Sequence, residues 1–267
     1  MGEAFPWQEA PNADFCVIGD PVEHSRSPEM HMAAFEVLGL PYRYVRVHVP
    51  KGEASQALEH LRDRGYVGVN ATVPHKEAAF EWAEEPDAHS SRIRAANTLR
   101  LGTREATNTD GPGFLYTLNG LGLPRGARVL ILGAGGSARS VAAALSDAGF
   151  NLAIWNRSPE RVFRLLAETG VPAAVEDSPT LLGVRLVVNT TSVGLHGDRL
   201  PLDWSRCDPE LVAYDLVYGN TPFLDQARAL GLRTRDGTEL LVAQGALSLE
   251  WWLGIDAPLE AMLKALQ

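Results

Sequence analysis

A glycine-rich turn between an apolar run and a helical pattern is the feature of this sequence most suggestive of chemistry. Residues 128–145 read RVLILGAGGSARSVAAAL, so Gly133, Gly135 and Ala138 fill the pattern G-x-G-x-x-A. In that pattern the first glycine permits a tight turn, the second leaves room for a pyrophosphate, and the small third residue lets helix and strand pack closely. Free backbone N–H groups at the helix start would hold the phosphates. The turn predicts dinucleotide binding, and glycine packing alone is the plainer alternative.

The residues after the next strand indicate which dinucleotide binds. An NAD site usually ends that strand in Asp or Glu, which accepts hydrogen bonds from the ribose. Here the strand ends AIWNRSPER, which offers hydrogen-bond donors at Asn156, Arg157, Ser158 and Arg161. Charge-assisted hydrogen bonds are worth about 1.5–3 kcal/mol each, so two of them to a 2′-phosphate favour NADP by about a hundredfold or more. An ordinary helix start with exposed arginines explains the same residues, and both interpretations can hold together.

Composition excludes several classes of protein. The 24 Lys and Arg residues against 33 Asp and Glu give a net charge of −9, which argues against nucleic-acid or membrane partners because those require basic surfaces. Cys16 and Cys207 are the only cysteines, so neither a disulfide framework nor a CxxC zinc site is possible. The sequence has no H-E-x-x-H pattern, and we predict no metal. Hydrolase chemistry is equally unsupported, since neither G-x-S-x-G nor S-x-x-K occurs.

Nothing in the first residues is typical of a secretory signal peptide, and no apolar run approaches the roughly 18 residues of a membrane-spanning helix. We therefore expect a cytoplasmic protein whose residues 1–13 form a loose leader. From Asp14 onward, short apolar runs alternate with helical patterns, which is typical of βα units and a mostly parallel sheet. At 267 residues, one large or two ordinary domains are expected.

Helix signals divide these elements further. Ser27 and Pro28 have the types of an N-cap and a first helical residue, and Gly39 would end that helix. The dipeptide Gly111-Pro112 interrupts the chain before a second series of βα units that begins at RVLILG. The fold class predicted is α/β.

Nine segments together resemble one known family. They are, in order, GDPVEHSRSP, GVNATVPHKE, AANT, TNTDGPG, GAGGSAR, NRSPER, NTTSVG, DLVYGNTPFL and DGTELLVAQ, and they extend from Gly19 to Gln244. In this combination the sequence is similar to the shikimate dehydrogenases. The resemblance implies NADPH-dependent reduction of 3-dehydroshikimate to shikimate, the fourth step toward chorismate and the aromatic amino acids.

The resemblance also implies two α/β domains with a cleft between them. Residues 14–111 and 245–267 would form a discontinuous substrate-binding domain with a mostly parallel sheet, and residues 112–244 a Rossmann-type NADP domain. The partners implied are the small-molecule substrate and NADP, and the chain would be a monomer or a homodimer.

Matching the segments position by position assigns roles to individual residues. Ser25 and Ser27 would hold the substrate carboxylate, and the end of a strand beside a helix N-terminus is independently suited to an anion. Lys76 would be the catalytic acid/base, with Asp110 as its partner. Lysine can exchange a proton and arginine cannot, although positioning of the substrate is an alternative role for Lys76.

The remaining matches are contacts to the two ligands. Hydrogen bonds to the substrate are implied for Asn70, Thr72, Asn97, Thr109, Tyr218 and Gln244. Contacts to NADP are implied for Gly133, Ala134, Gly135, Gly136, Ser137, Ala138, Asn156, Arg157, Ser158, Arg161, Thr190, Leu216 and Gly237. Leu216 would act through its backbone, because its side chain has the type expected of a strand core.

Some positions depart from the family pattern. His75 precedes Lys76 where an apolar residue is usual, Ala95 stands where glycine is usual, and Leu240 replaces a common methionine. Glu23 adds an acid near the carboxylate site. Two other functions stay open: a quinate/shikimate dehydrogenase using NAD, and a non-catalytic NADP-sensing module. An acid near position 156 or 157 and a changed Ser25/Ser27 pair would favour the first, and the sequence shows neither. Intact Ser25, Ser27, Lys76 and Asp110 argue against the second.

Overall fold

Two separate β-sheets organise the chain. The computed structural model describes residues 2–194 and 197–267. The chain divides into two compact units, one formed by Met1–Gly113 with Leu241–Gln267 and the other by Phe114–Leu240. The sequence-predicted boundaries, at residues 111/112 and 244/245, lie close to these two crossing points.

The sheet of the first unit is mixed. Its strands are β1 (Ala4–Pro6), β2 (Phe15–Gly19), β3 (Tyr44–His48), β4 (Gly68–Ala71), β5 (Glu85–Pro86), β6 (Thr98–Arg100) and β7 (Glu105–Thr107). They lie in the order β1-β3-β2-β4-β6-β7-β5. The pairs β4–β6 and β6–β7 are antiparallel, and the other pairs are parallel. The strand order reverses next to β2, and in such sheets ligands bind beyond the carboxyl ends of the strands at that point.

Helices cover both faces of this sheet. They are α1 (Ser27–Val37), α2 (Ala54–Asp63), α3 (Lys76–Trp82), α4 (Ala88–Ile93), α9 (Thr238–Leu253), which begins in the second unit, and α10 (Leu259–Lys264). On one face, apolar side chains of α1, α9 and α10 pack on β2 and β3. On the other face, α2 and α3 pack on the same sheet. The last helices thus complete the core that the first hundred residues begin.

The prediction of a loose leader is wrong for residues 4–9. β1 pairs in parallel with β3, with Ala4 opposite Arg46, and a 3₁₀ segment follows it. Trp7 Nε1 donates a 2.8 Å hydrogen bond to Glu53, and its ring meets the edge of His60. A three-residue edge strand has no periodicity that local sequence can show, since its pairing partner lies about forty residues away.

The sheet of the second unit is entirely parallel. Its strands are β8 (Arg128–Leu132), β9 (Asn151–Trp155), β10 (Ala173–Val175), β11 (Val184–Asn189), β12 (Val212–Asp215) and β13 (Arg233–Arg235), in the order β10-β9-β8-β11-β12-β13. By position along the chain this is the order 3-2-1-4-5-6 of dinucleotide-binding sheets. The helices are α6 (Gly136–Asp147), α7 (Pro159–Thr169) and α8 (Pro222–Ala229), and α5 (Asp110–Thr117) enters from the first unit. The short strand β10 is not among the predicted elements.

The two βα series predicted from sequence are therefore present. In the described residues no helix is both long and apolar enough to cross a membrane.

Candidate active site

The two serines lie together where β2 leads into α1. The Ser25 hydroxyl donates to the Ser27 hydroxyl at 3.3 Å, and the backbone N–H of Ser27 donates to Ser25 Oγ at 3.4 Å. Arg46 of β3 donates from Nε to the Ser25 carbonyl at 2.6 Å and so holds this loop. Helix α1 begins at Ser27, so the prediction of Ser27 as N-cap is wrong: Arg26 occupies that position and makes no side-chain cap. The hydroxyls and the helix start together form a site suited to a carboxylate.

Lys76 and Asp110 form a buried ion pair. Lys76 Nζ lies 2.5 Å from Asp110 Oδ2, and the two side chains are 10% and 8% exposed. Lys76 is the first residue of α3 and Asp110 the first of α5. β4 and β7 run in the same direction, because each is antiparallel to β6, which lies between them. Their carboxyl ends, which lead to Lys76 and Asp110, therefore meet at one edge of the sheet. The sheet brings together two residues that are 34 positions apart.

Asn97 connects the ion pair to the residues around it. Its Nδ2 donates to Asp110 Oδ1 at 3.0 Å, to Thr109 Oγ1 at 2.9 Å and to Gln244 Oε1 at 3.2 Å. Its Oδ1 accepts from the backbone N–H of Thr109 at 2.9 Å. The neighbouring Ala96 donates its N–H to the Lys76 carbonyl. Four predicted site residues besides Lys76 thus belong to one hydrogen-bonded cluster.

Asn70 extends this cluster, and it does so through residues that sequence reasoning missed. Its Nδ2 donates to the Asn97 carbonyl at 3.0 Å and to Ser248 Oγ at 3.1 Å. Ser248 also lies 2.8 Å from Thr98 Oγ1 and 3.2 Å from Thr109 Oγ1. On the opposite side, the Tyr44 hydroxyl donates to Asn70 Oδ1 at 2.8 Å. Ser248 stands four residues after Gln244 on α9, a helical spacing that places both on one face and could have indicated it.

Two further substrate predictions lie outside this network. Thr72 follows β4 directly and is half-buried, with its methyl group close to Gly19 at the end of β2. It therefore lies at the same sheet edge as the serines. Tyr218 lies in the second unit, in the loop after β12, so the first unit does not contain it and its substrate contact stays a prediction.

Three of the four departures from the family pattern have local explanations. His75 is buried, and a hydrogen bond of 2.7 Å joins its Nε2 to the Val49 carbonyl. Burial lowers the pKa of His75, so the neutral ring acts as a packed residue beside Lys76. The Glu23 carboxylate turns back and accepts the N–H of Val22 at 3.0 Å. Leu240 is nearly fully buried, in keeping with replacement by a residue of similar volume.

In the second unit, the glycine turn joins β8 to α6. Gly133 has φ +118°, and a β-carbon there would overlap Thr190 Oγ1, so this position requires glycine. No heavy atom among the described residues lies within 4 Å of where a β-carbon of Gly135 would stand. Packing therefore does not explain Gly135, whereas a ligand approaching the backbone would. Ala138 is fully buried, as close packing of helix and strand demands.

The start of α6 can accept an anion. Gly135 is the N-cap and has no side chain to satisfy the first N–H groups, and the first turn holds no acidic residue. Gly133, Ala134, Gly135, Gly136, Ser137 and Ala138 all lie in this turn. They fit the phosphates of a dinucleotide.

The loop after β9 carries the donors predicted for a 2′-phosphate. Arg157 and Arg161 are exposed, and neither has an acidic partner among the described residues. Ser158 is the N-cap of α7, as its position suggests, but its hydroxyl makes no capping hydrogen bond. The Asn156 side chain donates to the Ser158 carbonyl at 3.0 Å and holds the loop. Two exposed cations without acidic partners in the described part of the chain, beside a helix start that the Ser158 side chain does not cap, suit a phosphate.

The other three cofactor predictions lie in the loops that follow β11, β12 and β13. Thr190 donates from Oγ1 to the Leu132 carbonyl at 2.7 Å, so it braces the glycine turn. Leu216 follows β12 and its side chain is half-buried, so the expectation of a strand-core side chain is wrong. The strand ends one residue earlier, at Asp215. A β-carbon at Gly237 would collide with the Leu216 carbonyl, which gives Gly237 a packing role of its own.

Asp215 is the buried acid of this edge. It accepts hydrogen bonds from Asn189 at 2.9 Å, from Thr221 at 2.7 Å and from the N–H of Val217 at 3.0 Å. Burial raises the pKa of Asp215 to about 6. Its partners are all structural groups of the unit, so it fixes the loops after β11 and β12 instead of facing a ligand.

Comparison with known proteins agrees with this geometry. Residues 17–99 match the family model described as the shikimate dehydrogenase substrate binding domain. Residues 237–267 match the model described as the shikimate 5′-dehydrogenase C-terminal domain. The chain is 42% identical to the shikimate dehydrogenase (NADP(+)) of Moorella thermoacetica, over 94% of this chain and 91% of the relative. The chain belongs to the shikimate dehydrogenase family.

Solved structures of shikimate dehydrogenases share the fold. The enzyme of Aquifex aeolicus superposes with a TM-score of 0.89 at 31% identity, covering 95% of this chain and 97% of that one. The enzyme of Thermus thermophilus, solved in complex with NADP(H) and shikimate, superposes with a TM-score of 0.83 at 39% identity, covering 94% and 97%. The α/β fold class and the family predicted from the sequence are confirmed.

Proposed function

We propose that this shikimate dehydrogenase family member reduces 3-dehydroshikimate to shikimate with NADPH, reversibly, in the route to chorismate and the aromatic amino acids. The observation that carries the proposal is the buried Lys76–Asp110 pair, 2.5 Å apart, held by Asn97 within a network of neutral hydrogen-bonding groups. A polyol ring needs such donors and acceptors, and a site built from them discriminates strongly against analogues that lack a hydroxyl.

The first unit orients the substrate and handles its proton. Ser25 and Ser27 bind the carboxylate, and the amides of Asn70, Asn97 and Gln244 with the hydroxyls of Thr72 and Thr109 bind the ring hydroxyls. Reduction of the 3-carbonyl places negative charge on its oxygen, which must receive a proton. Lys76 Nζ gives that proton in the reductive direction and takes it back in the oxidative one. Asp110 holds the ammonium in place and balances its charge. A substrate contact of Tyr218 stays an expectation from the family resemblance.

The second unit fits NADP. Bound there, the reduced cofactor supplies the hydride that adds to the carbonyl carbon. The turn from Gly133 to Ala138 holds the pyrophosphate, and Asn156, Arg157, Ser158 and Arg161 hold the 2′-phosphate. Thr190, Leu216 and Gly237 shape the edge of the site. Because the chain carries a net charge of −9, the exposed Arg157 and Arg161 create local attraction for an anionic ligand against the overall field.

Neither alternative function has support of its own. An NAD-dependent quinate/shikimate dehydrogenase would be favoured by an acid after β9, where this chain has Asn156 and Arg157. A non-catalytic NADP sensor has no need of a buried Lys76–Asp110 pair. A monomer or homodimer without metal, nucleic-acid or membrane partners, located in the cytoplasm, stays the expectation from composition and family.

The decisive experiment mixes the purified protein with NADPH and 3-dehydroshikimate and follows loss of absorbance at the nicotinamide band. We expect consumption of NADPH matched by shikimate formed, identified by chromatography. Binding of NADPH without turnover would support the sensor instead. Loss of activity on adding a chelator would refute the absence of a metal.

A further inference from the structure

Tyr218 is the one predicted substrate contact that belongs to the second unit. It lies in the loop of residues 216–219, directly after β12, and its side chain is half-buried. A side chain that meets a ring hydroxyl discriminates between ligands only if it is oriented before the substrate arrives. We therefore asked which groups of the second unit fix the backbone on either side of Tyr218.

The start of this loop is held by the buried Asp215. The backbone N–H of Val217 donates to Asp215 Oδ1 at 3.0 Å, and the N–H of Leu216 donates to the Asn189 carbonyl at 2.9 Å. The residue before Tyr218 is thus fixed on the ends of β11 and β12.

A second carboxylate, that of Asp236, holds the end of the loop. The backbone N–H of Gly219 donates to Asp236 Oδ2 at 2.7 Å, although the two residues are 17 positions apart. A charged acceptor makes this hydrogen bond stronger than one between neutral groups. Gly219 has φ +87°, a conformation that favours glycine. The residues before and after Tyr218 therefore both donate their N–H groups to carboxylates.

The Asp236 carboxylate is itself held in place. Thr238, the first residue of α9, donates its N–H to Asp236 Oδ1 at 3.1 Å and its hydroxyl to Asp236 Oδ2 at 3.0 Å. Between them, Gly237 donates its N–H to the Val217 carbonyl at 3.2 Å. The start of α9 and the loop of residues 216–219 are thus joined at two points, and Asp236 supplies the point that follows Tyr218.

We propose that Asp236 is a positioning residue that orients Tyr218 for its contact with the substrate. It acts through the Gly219 N–H and needs no contact of its own with either ligand. The inference rests on the proposed function, because it takes Tyr218 as a hydrogen-bonding group for the substrate. It also gives a role to the first residue of the segment DGTELLVAQ, which the family resemblance leaves without one.

The test is Asp236→Ala, which removes the acceptor of the Gly219 N–H. We expect the KM for 3-dehydroshikimate to rise about tenfold, as loss of a hydrogen bond to a charged group does. The value of kcat should fall less than about threefold, because Lys76 and Asp110 are unaltered. The KM for NADPH should stay within about threefold, since the glycine turn and Arg157 are also unaltered.

The matched control is Asp203→Ala. Asp203 belongs to the same unit and has the same local hydrogen bonds, because it accepts the N–H of Ser205 at 3.0 Å and the Ser205 hydroxyl at 2.6 Å. It holds no distant loop among the described residues. We expect Asp203→Ala to leave the KM for 3-dehydroshikimate at its wild-type value. If Asp236→Ala alters this KM no more than Asp203→Ala does, the inference is overturned and the proposed function stands. A wild-type protein that does not reduce 3-dehydroshikimate with NADPH would overturn both.

A double variant shows whether Asp236 acts through Tyr218. Tyr218→Phe should raise the KM for 3-dehydroshikimate about tenfold, and adding Asp236→Ala to it should change this KM by less than about twofold more. Fully additive effects, or a wild-type KM in Tyr218→Phe, would contradict the proposal.

If Asp236→Ala does not fold, Asp236→Asn takes its place. Asparagine has one acceptor oxygen for the three donors that the two oxygens of Asp236 share. We expect a rise of about threefold in the KM for 3-dehydroshikimate, and no further rise when Tyr218→Phe is already present. A wild-type KM in folded Asp236→Asn would count against the proposal.

Discussion

The two units of this protein prepare their binding residues in opposite ways. In the first unit, nearly every predicted ligand residue already has a protein partner: Asn97 alone makes three hydrogen bonds through its Nδ2. In the second unit, three of the predicted phosphate contacts are open: the space above Gly135 is empty, and neither Arg157 nor Arg161 has an acidic partner among the described residues.

The difference follows from the chemistry of the two ligands. A neutral hydroxyl distinguishes a correct substrate only if the groups that meet it are already oriented, because a flexible amide adapts to the wrong ligand. Phosphates carry enough charge to order flexible arginines themselves. We therefore expect changes in the first unit to disturb orientation and turnover, and changes in the second to disturb cofactor affinity.

The largest effect is expected from Lys76→Ala. It should lower kcat by about 10²–10⁴-fold with a smaller change in KM for 3-dehydroshikimate, since the proton donor is lost while the amides remain. Stopped-flow and steady-state assays of NADPH consumption measure this, and a pH profile of kcat separates proton transfer from positioning. Lys51→Ala is the matched control, because Lys51 is an exposed lysine of the same unit. Near-normal turnover of Lys76→Ala would rule out its acid/base role.

The glycine turn offers a sharper contrast between packing and binding. Gly135→Val should keep the wild-type Tm but raise the Kd for NADPH by about 10–100-fold, because its side chain would enter the space that the pyrophosphate needs. Gly133→Val should lower the Tm, because φ is +118° there and the side chain meets Thr190. Calorimetric titration and thermal unfolding of both variants test the pair. Unchanged NADPH affinity in Gly135→Val would refute the assignment of this turn.

Cofactor choice should depend on Arg157. Arg157→Asp replaces a cation by an acid that can accept from the ribose, so the ratio of kcat/KM for NADPH over NADH should fall about 10–100-fold. Arg206→Asp makes the same charge change at another exposed arginine of that unit and should leave the ratio within about twofold. If the ratio of kcat/KM for NADPH over NADH is the same in Arg157→Asp and Arg206→Asp, the position of Arg157 has no specific role in cofactor choice.

The smallest effect concerns acid stability and distinguishes the buried groups of the two units. Burial lowers the pKa of His31 to about 3, so its share of stability is complete above the unfolded value of 6.5 and declines as pH falls toward 3. The pKa of Asp215 is raised to about 6. Its contribution to stability is therefore lost as the pH rises from its unfolded value toward 6, opposite to that of His31. The unfolding free energy of the wild type should fall as the pH is lowered from 6.5 to 5. That of His31→Leu should fall less steeply, by up to about 1.4 kcal/mol per pH unit. A slope equal to that of the wild type would contradict the neutral, buried state of His31.

Sequence alone predicts a large part of this arrangement. The glycine turn, the Asn156–Arg161 donors and the serine pair stand beside strand ends, where local pattern and the geometry of parallel sheets suffice. The family resemblance adds Lys76 and Asp110, whose pairing depends on two antiparallel strands between them. Tyr44 and Ser248 are not predicted, because their hydrogen-bond partners lie far away in the chain. The one local sign is the four-residue spacing of Ser248 from Gln244, which places both on the same face of α9.

The edge strand β1 shows the same limit for the fold. Its three residues acquire their structure from β3, so no local pattern distinguishes them from a loose leader. The partial exposure of the Leu216 side chain is not predicted, because an apolar residue directly after a strand has the same type as the buried residues of that strand. Only the end of strand pairing at Asp215 shows that Leu216 lies outside β12.

One set of measurements tests the central claim most directly: kcat/KM for shikimate and for quinate, each with NADP⁺ and with NAD⁺. If the substrate ligands of the first unit are held in fixed orientations and the arginines of the second unit bind the 2′-phosphate, kcat/KM should be highest for shikimate with NADP⁺. We expect it to exceed the value for each other combination by about tenfold or more. Equal values for quinate and shikimate would contradict the orientation of the first unit, and equal values for the two cofactors would contradict the role of the arginines in the second.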